Sequence, residues 1–165
     1  MDWYSFFSWI ENSALGVWMR ESPSLWAFPF ILILHTIGMA FLVGPNIAID
    51  LRILGVAPRV PASLMERFFV VMKLGFVINV VSGLMLLVAY PTKALTNPLF
   101  YIKLLLIAIA LTQTMWIRKN VLSADSFPFK GKVVAAASLV IWAAAVGAGR
   151  FLAYTYKYLL AGELL

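Results

Sequence analysis

Four long apolar runs, 25–49, 68–90, 98–117 and 133–156, dominate the pattern of hydrophobic and polar positions along the chain. A helix rises 1.5 Å per residue and needs about 20 residues to cross the hydrocarbon of a bilayer, so each run is long enough to span. Barrel strands would be segments of about 10 residues with alternating polarity, which these runs are not. Polar, proline-bearing breaks separate them: 56–67, then Pro91-Thr92-Lys93 with Asn97-Pro98, then Ser123-Ala124-Asp125-Ser126-Phe127-Pro128. Pro45 removes a backbone donor within the first run and predicts a bend there.

The segment before the runs follows a different pattern. Trp3, Phe6, Phe7, Ile10, Leu15 and Trp18 recur largely at helical spacing, interrupted by Asp2, Ser5, Ser8, Glu11, Asn12 and Ser13. Too short and polar to span, it predicts an amphipathic helix lying in the membrane interface. Ser22-Pro23-Ser24 should end it and cap the next helix. The expected fold is all-α: an integral membrane four-helix bundle over residues 23–165, preceded by an interfacial amphipathic helix in residues 1–22.

Composition sharpens this reading. Of 165 residues, 63% are hydrophobic and 12% charged, against roughly 45–50% and about 25% in soluble domains. A compact soluble fold of this size has no room to hide that excess, so lipid is the solvent that suits it. The absence of cysteine excludes disulfides, thiolate metal sites, iron–sulfur clusters and covalently attached haem. Met1-Asp2-Trp3-Tyr4 lacks the basic start of a signal peptide. A formal net charge of +6 is spread over several loops, which fits anionic lipid and topology rather than nucleic acid. Arg52, Arg59 and Arg67 follow the first run, and Arg118, Lys119, Lys130 and Lys132 follow the third. The positive-inside rule puts those loops in the cytoplasm and both termini outside. Trp3, Trp18, Trp26, Tyr90, Tyr101, Tyr154, Tyr156 and Tyr158 then form the outer aromatic belt.

Ionisable groups inside spans are costly and call for an explanation. His35, the single histidine, lies ~10 Å below the outer boundary, and Lys103 and Arg150 approach the same layer on two other helices. Three cations at one depth suit an anion within the bundle. His35, Asn46 and Asp50 fall near one face of the first run, with Gly38 and Gly44 beside them to admit another helix or a flat ligand. The second run offers Gly75, Asn79, Ser82 and Gly83, the third Ala110, Gln113 and Thr114, and the fourth Ser138, Ala145, Gly147 and Gly149. Each has a plainer reading. Small residues pack helices, Asn79 and Gln113 serve as interhelical hydrogen-bond partners, and Asp50 sits at the inner interface. Lys103 and Arg150 snorkel to the headgroups.

Leu25-Trp26-Ala27-Phe28-Pro29 leading to Leu34-His35-Thr36-Ile37-Gly38 resembles a family of small bacterial inner-membrane proteins without an assigned function. So do Gly44 with Ile49-Asp50-Leu51-Arg52-Ile53-Leu54-Gly55, and Ile141-Trp142 through Gly149-Arg150-Phe151-Leu152-Ala153-Tyr154. The resemblance covers roughly residues 24–156. It implies a multi-pass protein of the bacterial inner membrane. More distantly, the four-helix plan is similar to copper-resistance CopD-type domains and to the membrane anchors of b-type cytochromes, a likeness of architecture.

Three function classes follow. One is a non-catalytic subunit that anchors or assembles with other membrane or periplasmic proteins, or with copies of itself. The second is an electron-transfer subunit holding haem b, with His35 as axial ligand, Gly38 clearing the porphyrin face, and Lys103 and Arg150 meeting propionates. Bis-histidine ligation needs two histidines and the chain has one, so a methionine such as Met85 or another subunit would complete it. The third is binding or transport of a quinone, a proton or copper, with His35 as the metal ligand. Soluble-enzyme motifs are missing, which weighs against autonomous catalysis.

Overall fold

A computed structural model describes residues 2–56, 58–122 and 127–164. Helices α1 (Trp3–Glu11) and α2 (Ala14–Glu21) lead into α3 (Phe28–Leu54), the short α4 (Ala62–Glu66), α5 (Phe68–Ala89), the short α6 (Pro91–Leu95), α7 (Pro98–Ile117) and α8 (Phe129–Leu152). A π-helical turn, Arg118–Leu122, continues α7, and a 3-10 turn, Ala161–Leu164, closes the chain. The four helices containing α3, α5, α7 and α8 are long and apolar enough to cross a membrane. Their outward faces carry Leu32, Val70, Val77, Leu105 and Val140, all exposed, as a lipid-facing surface requires.

Local sequence explains the boundaries. Asn97 caps α7 by accepting from Leu99 N at 3.0 Å, with Pro98 in the first turn where its missing donor costs nothing. Gly55, at φ 97°, ends α3 in the left-handed conformation; Gly55 N and Val56 N then reach the carbonyls of Arg52 and Leu51. Pro45 lies within α3, which runs through it unbroken.

Several boundaries differ from the sequence reading. The amphipathic segment is two helices, because Asn12 and Ser13 end α1 and Ser13 caps α2 through Gly16 N at 3.2 Å. Ser22 and Ser24 form a turn of their own, and Ala27 takes the cap position of α3. This leaves Leu25 and Trp26 outside the first span and carries it to Leu54, so Asp50 belongs to the helix rather than to its edge. The fourth span begins at Phe129 and ends at Leu152, leaving Tyr154 and Tyr156 beyond it. Pro91 starts a short helix where a turn was expected. The break expected at 123–128 lies, over 123–126, outside the described residues.

The bundle is built by pairing. α5 packs on α3, α3 on α8, and α8 on α7, while α5 and α7 are not closely packed on each other. Gly38 and Gly75 make the α3–α5 seam tight: a Cβ on Gly75 would fall 2.7 Å from Leu42 N and 2.8 Å from Gly38 O. The main core (Leu42, Ile49, Ile53, Met72, Ile117, Trp142) fills the half of the bundle near α4 and the π-helical turn. At the opposite end a smaller cluster of Met19, Ile31 and Ala89 seats α2 on α3 and α5.

Candidate functional site

Two polar layers lie inside the bundle. The inner one centres on Asn46 of α3, whose Nδ2 donates to Asp50 Oδ2 at 2.7 Å and to Ser138 Oγ of α8 at 3.1 Å. Thr114 Oγ1 of α7 lies 2.6 Å from Asn46 Oδ1 and 2.9 Å from Ala110 O, sharing its one proton between them. The Asn46 amide therefore uses both protons and its oxygen, and ties three helices together. All four side chains are buried. One atom is left over: Asp50 Oδ1 has no partner among the described residues. Arg52, two residues on, turns instead to Val60 O at 2.5 Å and stacks 4.8 Å from the Phe127 ring.

The outer layer is looser. His35 Nδ1 of α3 and Ser82 Oγ of α5 are 3.1 Å apart, a Cβ on Gly83 would meet His35 Cε1 at 3.2 Å, and Asn79 Nδ2 donates to the His35 carbonyl at 2.9 Å. Lys103 of α7 shares a cavity wall with Met39 of α3 and Asn79 of α5. The lysine side chain lies on Gly149 of α8, where a Cβ would come within 3.4 Å of Cε and 3.6 Å of Nζ. Between these residues is an internal cavity of about 10 Å³ whose walls include Met39, Asn79, Lys103 and Trp142, one from each spanning helix. That is about the space of a single water. Trp142 is 2% exposed, and its indole Nε1 has no partner among the described residues.

The structure thus brings His35 together with Asn79 and Ser82, Lys103 together with Asn79 at the cavity wall, and Asn46 together with Asp50. Arg150 does not join them; it is exposed and stacks 5.3 Å from the Tyr154 ring. Gln113 takes no part in the inner layer, and its buried Oε1 is without a partner. Gly38 clears space for α5, not for a ligand, since a Cβ there would meet Asn79 N at 2.8 Å.

A third polar cluster was not anticipated. Glu11, on the buried face of α1, accepts from Thr92 Oγ1 at 2.7 Å and from Ala161 N at 3.0 Å. Arg20 of α2 bridges Glu11 O at 2.6 Å and Ala89 O at 3.0 Å. These bonds fasten α1, α2, α6 and the C-terminal turn over one end of the bundle. The signal was present: Glu11 follows Phe7 by four residues, which puts an acid on the apolar face of an amphipathic helix.

The donor set does not fit a porphyrin. Gly38 is filled by α5, Gly83 lies against the imidazole, and the cavity beside Lys103 is a small fraction of a haem's volume. Copper fits poorly too, because the Lys103 ammonium shares a cavity wall with Met39 and repels a cation.

No curated protein and no solved structure matches this chain. A family's sequence profile matches it over residues 6–155, nearly all of the bundle and both N-terminal helices: the chain belongs to the family of unknown function DUF6644.

Proposed function

We propose that this protein is a non-catalytic integral membrane subunit that assembles with other membrane or periplasmic chains, or with copies of itself. The observation that carries this reading is the use made of the polar side chains within the spans. Asn46, Thr114 and Ser138 are spent on one another across three helices, and Asn79 and Ser82 on the α3–α5 seam. Such bonds hold a bundle together. The surface adds support. α1 buries Phe7 and Glu11 while Trp3 and Trp9 are 76% and 70% exposed, and Leu25 and Trp26 are exposed as well. Tryptophans so placed suit a headgroup belt or the rim of a partner chain.

We further place both termini on the periplasmic side of a bacterial inner membrane. Loop charge supports this, with seven basic residues in the two loops opposite the termini (Arg52, Arg59, Arg67, Arg118, Lys119, Lys130, Lys132). The chain contains no cysteine, so single cysteines introduced at Glu21 and Arg59 give a clean labelling test. An impermeant maleimide should label the first and spare the second in intact cells.

Photo-crosslinking from position 9 in native membranes tests the assembly itself. Discrete adducts of one or two defined masses are expected. Adducts to lipid alone, together with a monomeric particle mass in detergent, would overturn the subunit reading.

A further inference from the structure

A groove of about 610 Å³ opens beside the π-helical turn that continues α7, lined by Met115, Trp116, Arg118, Lys119 and Asn120. Small-ligand sites run to ~300–1,000 Å³. The turn is pinned from beneath by Val121 and Leu122, which are buried in the main core, while Arg118, Lys119 and Asn120 are exposed. Depth follows from length. The spanning helix runs for 25 residues from Pro98 to Leu122, about 37 Å at 1.5 Å per residue against ~30 Å of hydrocarbon. Its last turn therefore stands in the head-group layer, with Met115, 60% exposed, at the edge of the acyl chains. The polar side chains of the lining are basic or neutral. Arg118 Nε donates to Glu66 Oε2 at 3.1 Å, and its guanidinium lies 4.7 Å from the Phe69 ring, so Glu66 is spent on Arg118. Asn120 Nδ2 donates back to Trp116 O at 2.9 Å. Lys119 meets neither an acceptor nor a carboxylate among the described residues. Lys130 of α8 lies over the Trp116 ring, its Nζ 5.5 Å from the centre.

We propose that this groove binds an anionic phospholipid of the leaflet it faces, with Lys119 pairing with the phosphate and Met115 and Trp116 meeting the start of an acyl chain. Charge complementarity selects the occupant. Two cations and one amide line the groove together with two apolar side chains, and no carboxylate of the described residues joins them. A lining of that kind favours a head group of net negative charge over a zwitterion. It favours a lipid over a free anion, because cation and apolar side chains are joined at the depth where a phospholipid joins its phosphate to its chains. The inference depends neither on the subunit reading nor on which side of the membrane this end of the bundle faces.

The test uses the full chain in neutral maltoside micelles at constant ionic strength, titrated with phosphatidylglycerol or phosphatidylcholine whose brominated acyl chains quench nearby tryptophan. The signal of Trp116 is isolated by subtracting the same titration of Trp116→Phe. Saturable quenching with a preference for phosphatidylglycerol is expected. Lys119→Gln should weaken phosphatidylglycerol about fivefold, the contribution of one lysine beside an anionic lipid, and leave phosphatidylcholine unchanged, which separates lost binding from lost structure. Lys119→Arg should retain the preference. Lys132→Gln removes an equal charge from α8, outside the lining of the groove, and should cost less than Lys119→Gln. Inorganic phosphate should not displace the lipid, since it has no chain for Met115 and Trp116 to meet. Equal quenching by the two lipids overturns the proposal. Equal losses for Lys119→Gln and Lys132→Gln overturn it as well, because the preference would then belong to the surface charge at large, and displacement by phosphate overturns it in favour of a free-anion site.

Discussion

The inner and outer polar layers draw on the same kinds of side chain and end in opposite conditions. Around Asn46 nearly every donor and acceptor is matched, every side chain is buried, and the apolar core closes over them. Around Lys103 no acceptor meets the ammonium among the described residues, His35 is half-buried, and a cavity of about 10 Å³ adjoins the lysine. Polar groups in a bilayer interior are stable only when satisfied. A layer whose polar groups are spent on one another across three helices serves the fold, and Asp50 Oδ1 is the one atom of it left over. That contrast, more than the presence of a histidine, separates scaffold from candidate site.

The sharpest way to break the comparison is to remove the seam both layers depend on. Gly75→Leu would drive a Cβ to within 2.8 Å of backbone atoms of α3 that no rotamer change can move aside. The α3–α5 pair must separate, with a loss of about 3 kcal/mol or more in unfolding experiments in mixed micelles. Both Asn79 and His35 would lose their partners at the same time. A variant as stable as wild type would show that the helices are not held at this distance.

Asn46→Ala should come next, at about 2–3 kcal/mol, since it takes the shared donor from Asp50 and Ser138 and leaves Thr114 only Ala110 O. A cycle with Ser138→Ala should show strong coupling, because the second substitution removes a group already unpaired. His35→Ala, in the looser layer, should cost only about 1 kcal/mol, near the average for interhelical hydrogen bonds in membranes. If the two rank the other way, the outer layer is the structural one and the assignment of roles is reversed.

These residues also show how far the sequence could be read. The spans were legible because twenty-residue apolar runs admit little else, and Asn46 with Asp50 was legible because a four-residue step puts both on one face. Thr114 and Ser138 stood out only as small residues, since nothing in their own helices says that Asn46 lies opposite. The two glycines show the same limit: Gly38 was open to either a helix or a flat ligand until α5 was seen to fill it. Arg150 and Lys103 share a depth, but which way a side chain turns at that depth depends on Gly149 and Tyr154, its neighbours in space. Trp142 gave no warning at all, because an indole becomes informative only when its N–H is found alone.

Lys93, on α6 and outside the spans, provides the smallest and most directional test. Partial burial lowers its pKa below the ordinary lysine value, although its Nζ keeps a hydrogen bond to Ala153 O. The unfolded chain therefore holds this proton to higher pH than the folded chain, and unfolding takes up a proton in the window between the two values. Stability must rise with pH across that window, which ends near the free lysine value of about 10.4; below it the cost of burying the ammonium is fully present. Lys93→Gln removes the cost that the ammonium carries at neutral pH and with it the alkaline rise, so the curve should be flatter from neutral pH upward, the effect being small because much of the side chain remains in solvent. Unfolding free energies of both proteins from about pH 8 upward measure it. Parallel curves would mean that Lys93 is as hydrated in the folded chain as in the unfolded one, so that its bond to Ala153 O and its place over the Tyr156 ring do not desolvate the ammonium.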